Sequence, residues 1–157
     1  MQFDPFKKQN SFYKFYLTIT KDEINQILFL VKSRPTIEQK TTYNYLNILN
    51  FPILANLKKQ VISILDRKKL ILNNNWVQLY NEKEYHCVHT HNKSDYSAII
   101  YIQGKSPTVF YNQNYIPYFE KFENSKMILF PSWIPHEVRA LDSDENRLII
   151  SFNTSFR

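Results

Sequence analysis

Glycine and cysteine are nearly absent from this chain of 157 residues. With Gly104 as the one glycine, few residues suit the positive φ values of tight turns, so we expect the asparagine-rich runs 73–75 and 112–114 to form turns. Cys87 is the single cysteine, which excludes an intrachain disulfide and is consistent with a reducing compartment. No apolar run approaches the roughly 20 residues of a membrane-spanning helix, and the N-terminus lacks the apolar core of a signal peptide. We therefore expect a cytoplasmic protein.

A concentrated basic patch is also missing, although the net charge is +6. The basic residues stand in short groups at 7–8, 58–59 and 67–69, a distribution typical of solvated helix faces. We therefore expect no nucleic-acid partner. At this length the chain is expected to form one domain, which would bury about 70% of the surface that the unfolded chain exposes.

The N-terminal half carries helical patterns after one strand. Residues 11–19 alternate as in a strand, and the sequence 20–23 (TKDE) matches a capping box that opens a helix to about Val31. Pro35 is expected to end this helix. A second helix is predicted from about 53 to 70, where apolar residues recur at helical spacing with lysines between them.

The pattern changes to short apolar or alternating runs from Trp76 onward. Such runs, separated by Asn, Pro, Ser and Asp, predict a β-sandwich or jelly roll. The chain is therefore interpreted as mainly β with N-terminal helices, in one domain: a helical flank with one N-terminal strand at 1–75 and a β core at 76–157. The predicted strands are 76–80, 85–91, 96–103, 107–111, 127–130, 137–141 and 147–153.

Three of the four histidines stand within residues 80–104. His89 and His91 are two apart, so on a strand they would project from one face with Cα atoms about 6 to 7 Å apart. The fourth, His136, stands far downstream in FPSWIPHEV, and Arg147 opens the run RLIISFN. An isolated H-x-H is more typical of a surface or hydrogen-bonded pair than of a ligand pair. Together with the distal histidine and the late arginine, it indicates a mononuclear metal site with an anionic co-substrate.

The segments VHTHNKSDYSAIIYI, MILFPSWIPHEV and RLIISFN, in that order, resemble the Fe(II)- and 2-oxoglutarate-dependent oxygenases. The resemblance is greatest to the small phage and marine-bacterial branch with an H-x-H motif and prolyl-hydroxylase-like features. It covers roughly residues 76–153, about half of the chain, and includes an arginine eleven residues after His136. Members of this superfamily fold as a double-stranded β-helix, a jelly roll with a cupin-like barrel.

The resemblance implies a set of site residues and cofactors. His89, His91 and His136 would ligate Fe(II), and Arg147 would bind the distal carboxylate of 2-oxoglutarate with its planar guanidinium. The implied reaction uses O2, hydroxylates a C–H bond of a peptidyl or small-molecule substrate, and releases succinate and CO2. Metal binding is expected to weaken as pH falls through the histidine range near 6.5.

Five further residues in or near the motifs are also candidates for a role at the site or in its packing. Tyr101 and Tyr80 occupy positions where prolyl-hydroxylase-like relatives place tyrosines against the co-substrate, although ordinary strand packing explains Tyr101 equally well and Tyr80 better. Most of the superfamily has H-x-D, so Asp95 is an alternative carboxylate ligand if the strand continues through 92–94, although that run is more typical of a turn. His86 is at odd spacing from His89 and is expected to face away without ligating. Cys87 shares the parity of His89 and is expected to be buried.

The apolar residues around the distal histidine, Phe130, Trp133 and Val138, are expected to pack in the core. Two other functions stay open. A cupin-like dioxygenase or isomerase that does not use 2-oxoglutarate would take Asp95 for the motif glutamate and Pro131 for the motif proline, but lacks the cupin glycines. A non-enzymatic β-sandwich binding module would use the histidines structurally.

Overall fold

The computed structural model describes residues 12–33, 36–38, 41–44, 46–142 and 144–157. Within these ranges the protein is mainly β, with helices α1 (Lys21–Ser33) and α2 (Ala55–Arg67). Two short 3₁₀ turns, Ile48–Asn50 and Pro52–Leu54, precede α2. Neither helix, nor any other helix in these ranges, is long and apolar enough to cross a membrane. The strands are β1 (Tyr13–Tyr16), β2 (Thr36–Glu38), β3 (Thr41–Asn44), β4 (Leu70–Tyr80), β5 (His86–His89), β6 (Tyr96–Gln103), β7 (Thr108–Tyr111), β8 (Pro117–Glu120), β9 (Lys126–Pro131), β10 (His136–Val138) and β11 (Arg147–Phe156).

The strands form two antiparallel sheets. The large sheet has the order β1-β9-β6-β11-β4-β3-β2, and the small sheet has the order β5-β10-β7-β8. The long strand β11 lies at the centre of the large sheet and pairs with β4 on one side and β6 on the other. In the small sheet, β5 is an edge strand and β10 is an interior strand. This agrees with the predicted mainly β fold with N-terminal helices.

Side chains alternate between the two faces of the large sheet, as the period of two along a strand requires. On β6, Ala98, Ile100 and Ile102 pack in a core cluster shared with the helices. Ile99 and Tyr101, from the same strand, pack in a second cluster that includes residues of the small sheet. The candidate site lies between the two sheets. The face of the large sheet that carries Ile99 and Tyr101 therefore positions it.

The first helix begins where the sequence predicts it. The backbone N–H of Thr20 donates to Glu23 Oε2 at 2.7 Å, and the N–H of Glu23 donates to Thr20 Oγ1 at 3.2 Å. This reciprocal pair is a capping box, which satisfies two backbone donors at the helix start. Pro35, predicted to end this helix, lies outside the described residues.

The turn prediction for 73–75 is wrong. These asparagines lie inside β4, where Asn75 pairs with Phe152 of β11. The side chain of Asn75 accepts the N–H of Leu49 at 2.8 Å, so tertiary contacts override its turn preference. The run 112–114 does form a turn, in which Asn112 Oδ1 accepts the N–H of Asn114 at 2.9 Å.

Three short strands were not predicted. β2 and β3 extend the large sheet beside β4, so the region before residue 76 holds more strand than the single N-terminal one expected. β8 pairs with β7 at the other edge of the small sheet. All three are edge or near-edge strands of three or four residues, which carry too few alternations to be recognised.

Candidate metal and co-substrate site

His89, His91 and His136 converge between the sheets. Their ligand atoms all lie within 4.8 Å of one another. The ring centroids are 4.2 Å apart for His89 and His136, 5.1 Å for His89 and His91, and 5.2 Å for His91 and His136. His89 and His136 are direct cross-strand partners of β5 and β10. His91 lies just beyond β5, where its N–H donates to the carbonyl of Ser132 at 2.9 Å.

Backbone carbonyls determine which nitrogen two of these rings present. His89 Nδ1 lies 2.8 Å from the carbonyl oxygen of Cys87, and His136 Nδ1 lies 3.0 Å from that of Ile134. Because a carbonyl only accepts, each Nδ1 must carry the proton. Each Nε2 then has a lone pair, which is the arrangement found for metal-ligating histidines with a second hydrogen bond.

Burial keeps the cluster neutral. It lowers the pKa of His136 well below the ordinary value, with further lowering by His89 and His91. Burial and the neighbouring His89 lower the pKa of His91 to about 4. Burial also lowers the pKa of His89, against the hydrogen bond to Cys87. At neutral pH the three imidazoles are therefore uncharged and suited to bind a cation.

His86 does not face away, so that prediction is wrong. Its ring stacks on His89 with centroids 3.9 Å apart and an interplanar angle of 12°. The cause is a β-bulge: His86 pairs with Val138 and His89 with His136, so three steps along β5 match two along β10. The bulge reverses the parity of the strand, and it also leaves Cys87 exposed rather than buried.

The structure excludes Asp95, the alternative ligand, and corrects the expectation for Trp133. Asp95 is exposed and its Oδ2 accepts the N–H of Phe156 at 2.8 Å, so it does not belong to the histidine cluster. Trp133 is 54% exposed and is not core packing. Phe130 is buried and packs edge-on against His136 at 4.9 Å. Residues 92 and 93 form a turn, which ends the strand before the position of Asp95.

Arg147 is fully buried at the start of β11. Its Nε donates to the carbonyl of Ser106 at 3.1 Å and its Nη2 donates to Thr108 Oγ1 at 2.8 Å. Its Nη1 is buried and has no hydrogen-bond partner among the residues that the structure describes. The guanidinium carbon lies 5.0 Å from the ring centroid of Tyr80 and 5.8 Å from that of Tyr101. Buried donors are rarely left unsatisfied, so this atom indicates a place for an acceptor.

Thr108 is a site residue that the sequence analysis missed. Its Oγ1 accepts from Arg147 and from the Tyr101 hydroxyl, the latter at 2.8 Å. Both lone pairs are thereby used, so the threonine hydroxyl is left as a donor. Thr108 also lines the cleft that holds the four histidines, and so it connects Arg147 to the histidine cluster. A lone threonine in a predicted strand gives no sequence signal for this role.

Gln78 was also missed, although it shares the parity of Tyr80 on a predicted strand. Its amide oxygen accepts from Trp76 Nε1 and from the Ser151 hydroxyl, each at 3.2 Å. Its amide nitrogen lies 2.9 Å from the Tyr80 hydroxyl and 3.3 Å from His86 Nδ1. Gln78 is 3% exposed and lines the same cleft.

Solved structures of 2-oxoglutarate–Fe(II) oxygenases share this fold. A prolyl hydroxylase from Trichoplax adhaerens, solved with a hypoxia inducible factor oxygen degradation domain peptide fragment, has a TM-score of 0.75 at 14% identity, over 96% of this chain and 86% of its own. The viral collagen prolyl hydroxylase of Paramecium bursaria Chlorella virus-1, in complex with 2-oxoglutarate, has a TM-score of 0.69 at 9% identity. The match covers 94% of this chain and 96% of the viral protein. HygX from Streptomyces hygroscopicus, with nickel, 2-oxoglutarate and hygromycin B bound, has a TM-score of 0.70 at 11% identity. The match covers 93% of this chain and 83% of HygX.

At these identities the likeness establishes a common fold. It confirms, at that level, the resemblance inferred from the three sequence segments. No protein-family model matches the chain, and no curated protein sequence matches it either.

Proposed function

We propose that this protein is an Fe(II)- and 2-oxoglutarate-dependent oxygenase whose two sheets form a double-stranded β-helix. One observation carries the proposal: three neutral imidazoles and an unsatisfied buried arginine stand in one region of the fold. The ligand atoms of the imidazoles lie within 4.8 Å of one another. Arg147 is joined to their cleft through Thr108.

His89, His91 and His136 fit the role of metal ligands. His89 and His136 would bind through Nε2, because both Nδ1 atoms are engaged with carbonyls. Three protein donors leave positions open for other ligands. Iron held there would supply the oxidising chemistry, which couples conversion of 2-oxoglutarate and O2 to succinate and CO2 with hydroxylation of a substrate C–H bond.

Arg147 and Thr108 fit the role of carboxylate anchor. A buried guanidinium without a carboxylate partner is costly, and a bound anion would remove that cost. The free Nη1 and the threonine hydroxyl offer two donors to one carboxylate. Tyr80 and Tyr101 flank the guanidinium with their rings and restrict its position.

The charge of the site also favours a dianionic co-substrate. His91 stands where most of the superfamily has a carboxylate, so the histidine ligands would not offset the charge of a divalent metal. Glu137 lines the cleft but is paired with Arg139 at 3.0 Å. The metal and Arg147 would therefore together attract a dicarboxylate strongly in a low-dielectric cleft.

The substrate is proposed to be a peptidyl side chain or a small molecule. This rests on analogy with neighbours of the same fold, one solved with a peptide fragment and one with hygromycin B. The cupin-like alternative is weakened, because the carboxylate of Asp95 is occupied by the Phe156 N–H.

The test is anaerobic reconstitution with Fe(II), followed by a measurement of succinate release with peptides, free amino acids and nucleosides. Arg147→Gln should weaken 2-oxoglutarate binding at least 100-fold, measured by calorimetry on Mn(II)-loaded protein. Arg67→Gln, an exposed arginine on α2, is the matched control and should change nothing. Wild-type protein that neither binds 2-oxoglutarate nor releases succinate would refute the proposed function.

A further inference from the structure

The β-bulge in β5 places an extra histidine against the proposed ligands. β5 is an edge strand of the small sheet, and its residues Cys87 and Val88 are exposed. His89 therefore stands on a weakly supported element, whereas His136 lies on an interior strand with Phe110 at 5.6 Å and Phe130 at 4.9 Å. The hydrogen bond of His89 Nδ1 goes to Cys87 of the same edge strand, so it does not tie the imidazole to another strand.

Gln78 determines the tautomer of His86. The indole of Trp76 can only donate, so the Gln78 atom that it contacts must be the amide oxygen, which also accepts from Ser151. The amide nitrogen of Gln78 then points to His86 Nδ1. Because an amide nitrogen only donates, His86 Nδ1 must be the acceptor, and the ring proton must be on Nε2.

From this geometry we propose that His86 is a positioning residue for His89 and not a fourth metal ligand. Its Nδ1 lone pair accepts from Gln78 and its Nε2 carries a proton, so neither nitrogen is available to a metal. Its ring lies flat on His89, with a 3.9 Å centroid separation, and fixes the plane in which His89 presents Nε2. The inference rests on the proposed metal-binding function.

The stacked ring and the hydrogen bond make different contributions, so variants can separate them. His86→Phe keeps a flat ring of similar size and loses the contact with Gln78. His86→Ala loses both. If stacking orients His89, Co(II) affinity should fall about 10- to 100-fold in His86→Ala, the range found for outer partners of metal ligands, and should be largely restored in His86→Phe. Val88→Thr, on the exposed side of the same strand, is the matched control.

The tautomer is measured directly in the metal-free protein from the ¹⁵N shifts of its histidine rings. We expect His86 protonated at Nε2 in the wild type. Gln78→Glu replaces the donor by an acceptor, so it should move the proton to Nδ1 and release the Nε2 lone pair. The absorption spectrum of the Co(II) protein should then change toward a higher nitrogen count, while His86→Phe keeps the wild-type spectrum.

Three outcomes would overturn the inference alone: unchanged Co(II) affinity in His86→Ala, a loss in His86→Phe equal to that in His86→Ala, or an Nδ1-protonated His86 in the wild type. Thermal unfolding of each variant shows whether it is folded, and the near-isosteric His86→Phe and the tautomer of the wild type test the idea even if His86→Ala does not fold. A wild-type protein that binds no Co(II) would instead overturn the proposed function, and the inference with it.

Discussion

Two buried cations lie near the same ring, and the protein treats them differently. Lys126 Nζ lies 5.3 Å from the Tyr101 ring centroid, and Arg147 Cζ lies 5.8 Å from it. Lys126 pairs with Glu120 at 2.7 Å and with Glu123 at 3.4 Å. Among the described residues, Arg147 donates to Ser106 and Thr108, and its Nη1 has no hydrogen-bond partner.

Under the proposed function, the difference separates a structural charge from one that binds a ligand. Lys126 of β9 and Glu120 of β8 join the large sheet to the small one, and both are almost fully buried. A buried cation that serves folding is neutralised by the protein itself. The incomplete set of hydrogen-bond partners around Arg147 in the described part of the chain supports the proposal that a ligand carboxylate binds there.

The largest expected effect comes from breaking the structural pair. Glu120→Gln leaves the Lys126 ammonium buried with weaker partners, so we expect the free energy of unfolding to fall by about 3 to 5 kcal/mol. Urea unfolding of the metal-free protein measures it. The affinity of the folded fraction for 2-oxoglutarate should stay within about threefold of wild type, a difference of less than 1 kcal/mol. An unchanged free energy of unfolding would contradict the structural role assigned to the Lys126–Glu120 pair.

Replacing Arg147 should, by contrast, weaken ligand binding and leave the folding of the protein unchanged. Arg147→Gln should weaken 2-oxoglutarate binding at least 100-fold, about 3 kcal/mol, because the anion loses its charged anchor. Metal affinity in the absence of 2-oxoglutarate should hardly change. Arg147→Lys tests the geometry, since a point charge without the guanidinium fork should recover only part of the affinity. Equal binding by wild type and Arg147→Gln would contradict the assignment of this cation.

Gly104 supports the anchor and gives an intermediate effect. Its φ of 150° is unfavourable for other residues, and an added Cβ would lie 3.1 Å from Arg147 Cα and 3.2 Å from the Phe122 ring. We expect Gly104→Ala to lower the free energy of unfolding by about 1 to 3 kcal/mol and to weaken 2-oxoglutarate binding by displacing Arg147. Ser125→Gly, at a position with φ of 67°, is the control and should be neutral or stabilising. A fully stable Gly104→Ala would show that the backbone there can relax.

The last effect concerns pH, and it is small near neutrality and accumulates as the pH falls. The pKa of His86 is lowered to about 3, mainly by burial and then by His89, and that of His91 to about 4. The unfolded chain binds more protons than the folded one between these values and about 6.5. The metal-free protein should therefore lose stability as pH falls from 6.5 toward 4, by up to about 1.4 kcal/mol per pH unit for each such group.

The measurement is denaturant unfolding of metal-free protein at several pH values. His86→Phe removes one of the titrating groups and should reduce the slope. A stability that is flat between pH 6.5 and 4.5 would mean that the histidines are protonated in the folded protein, which would disagree with the burial of the cluster.

Some of this structure follows directly from sequence. The apolar run at 96–103 predicts β6 with its observed bounds, and the capping box predicts the start of α1. These features depend on local patterns. The convergence of the proposed histidine ligands was inferred from segment order and resemblance, and the structure brings these side chains together.

The features that the sequence did not reveal depend on partners distant in the chain. The bulge that turns His86 toward His89 exists only because β5 pairs with a shorter stretch of β10. Thr108 and Gln78 gain their roles from contacts with β11 and β5. Trp133 is apolar yet exposed, and the pattern of apolar and polar residues around it does not indicate this exposure.

The most direct test of the account is the affinity of 2-oxoglutarate measured without oxygen, with and without Mn(II). If the histidine cluster and Arg147 hold one ligand, the metal should raise this affinity at least tenfold in the wild type, and 2-oxoglutarate should raise metal affinity by the same factor. His136→Ala should abolish the coupling. Equal affinities with and without metal would contradict the claim that the two parts of the site act on the same molecule.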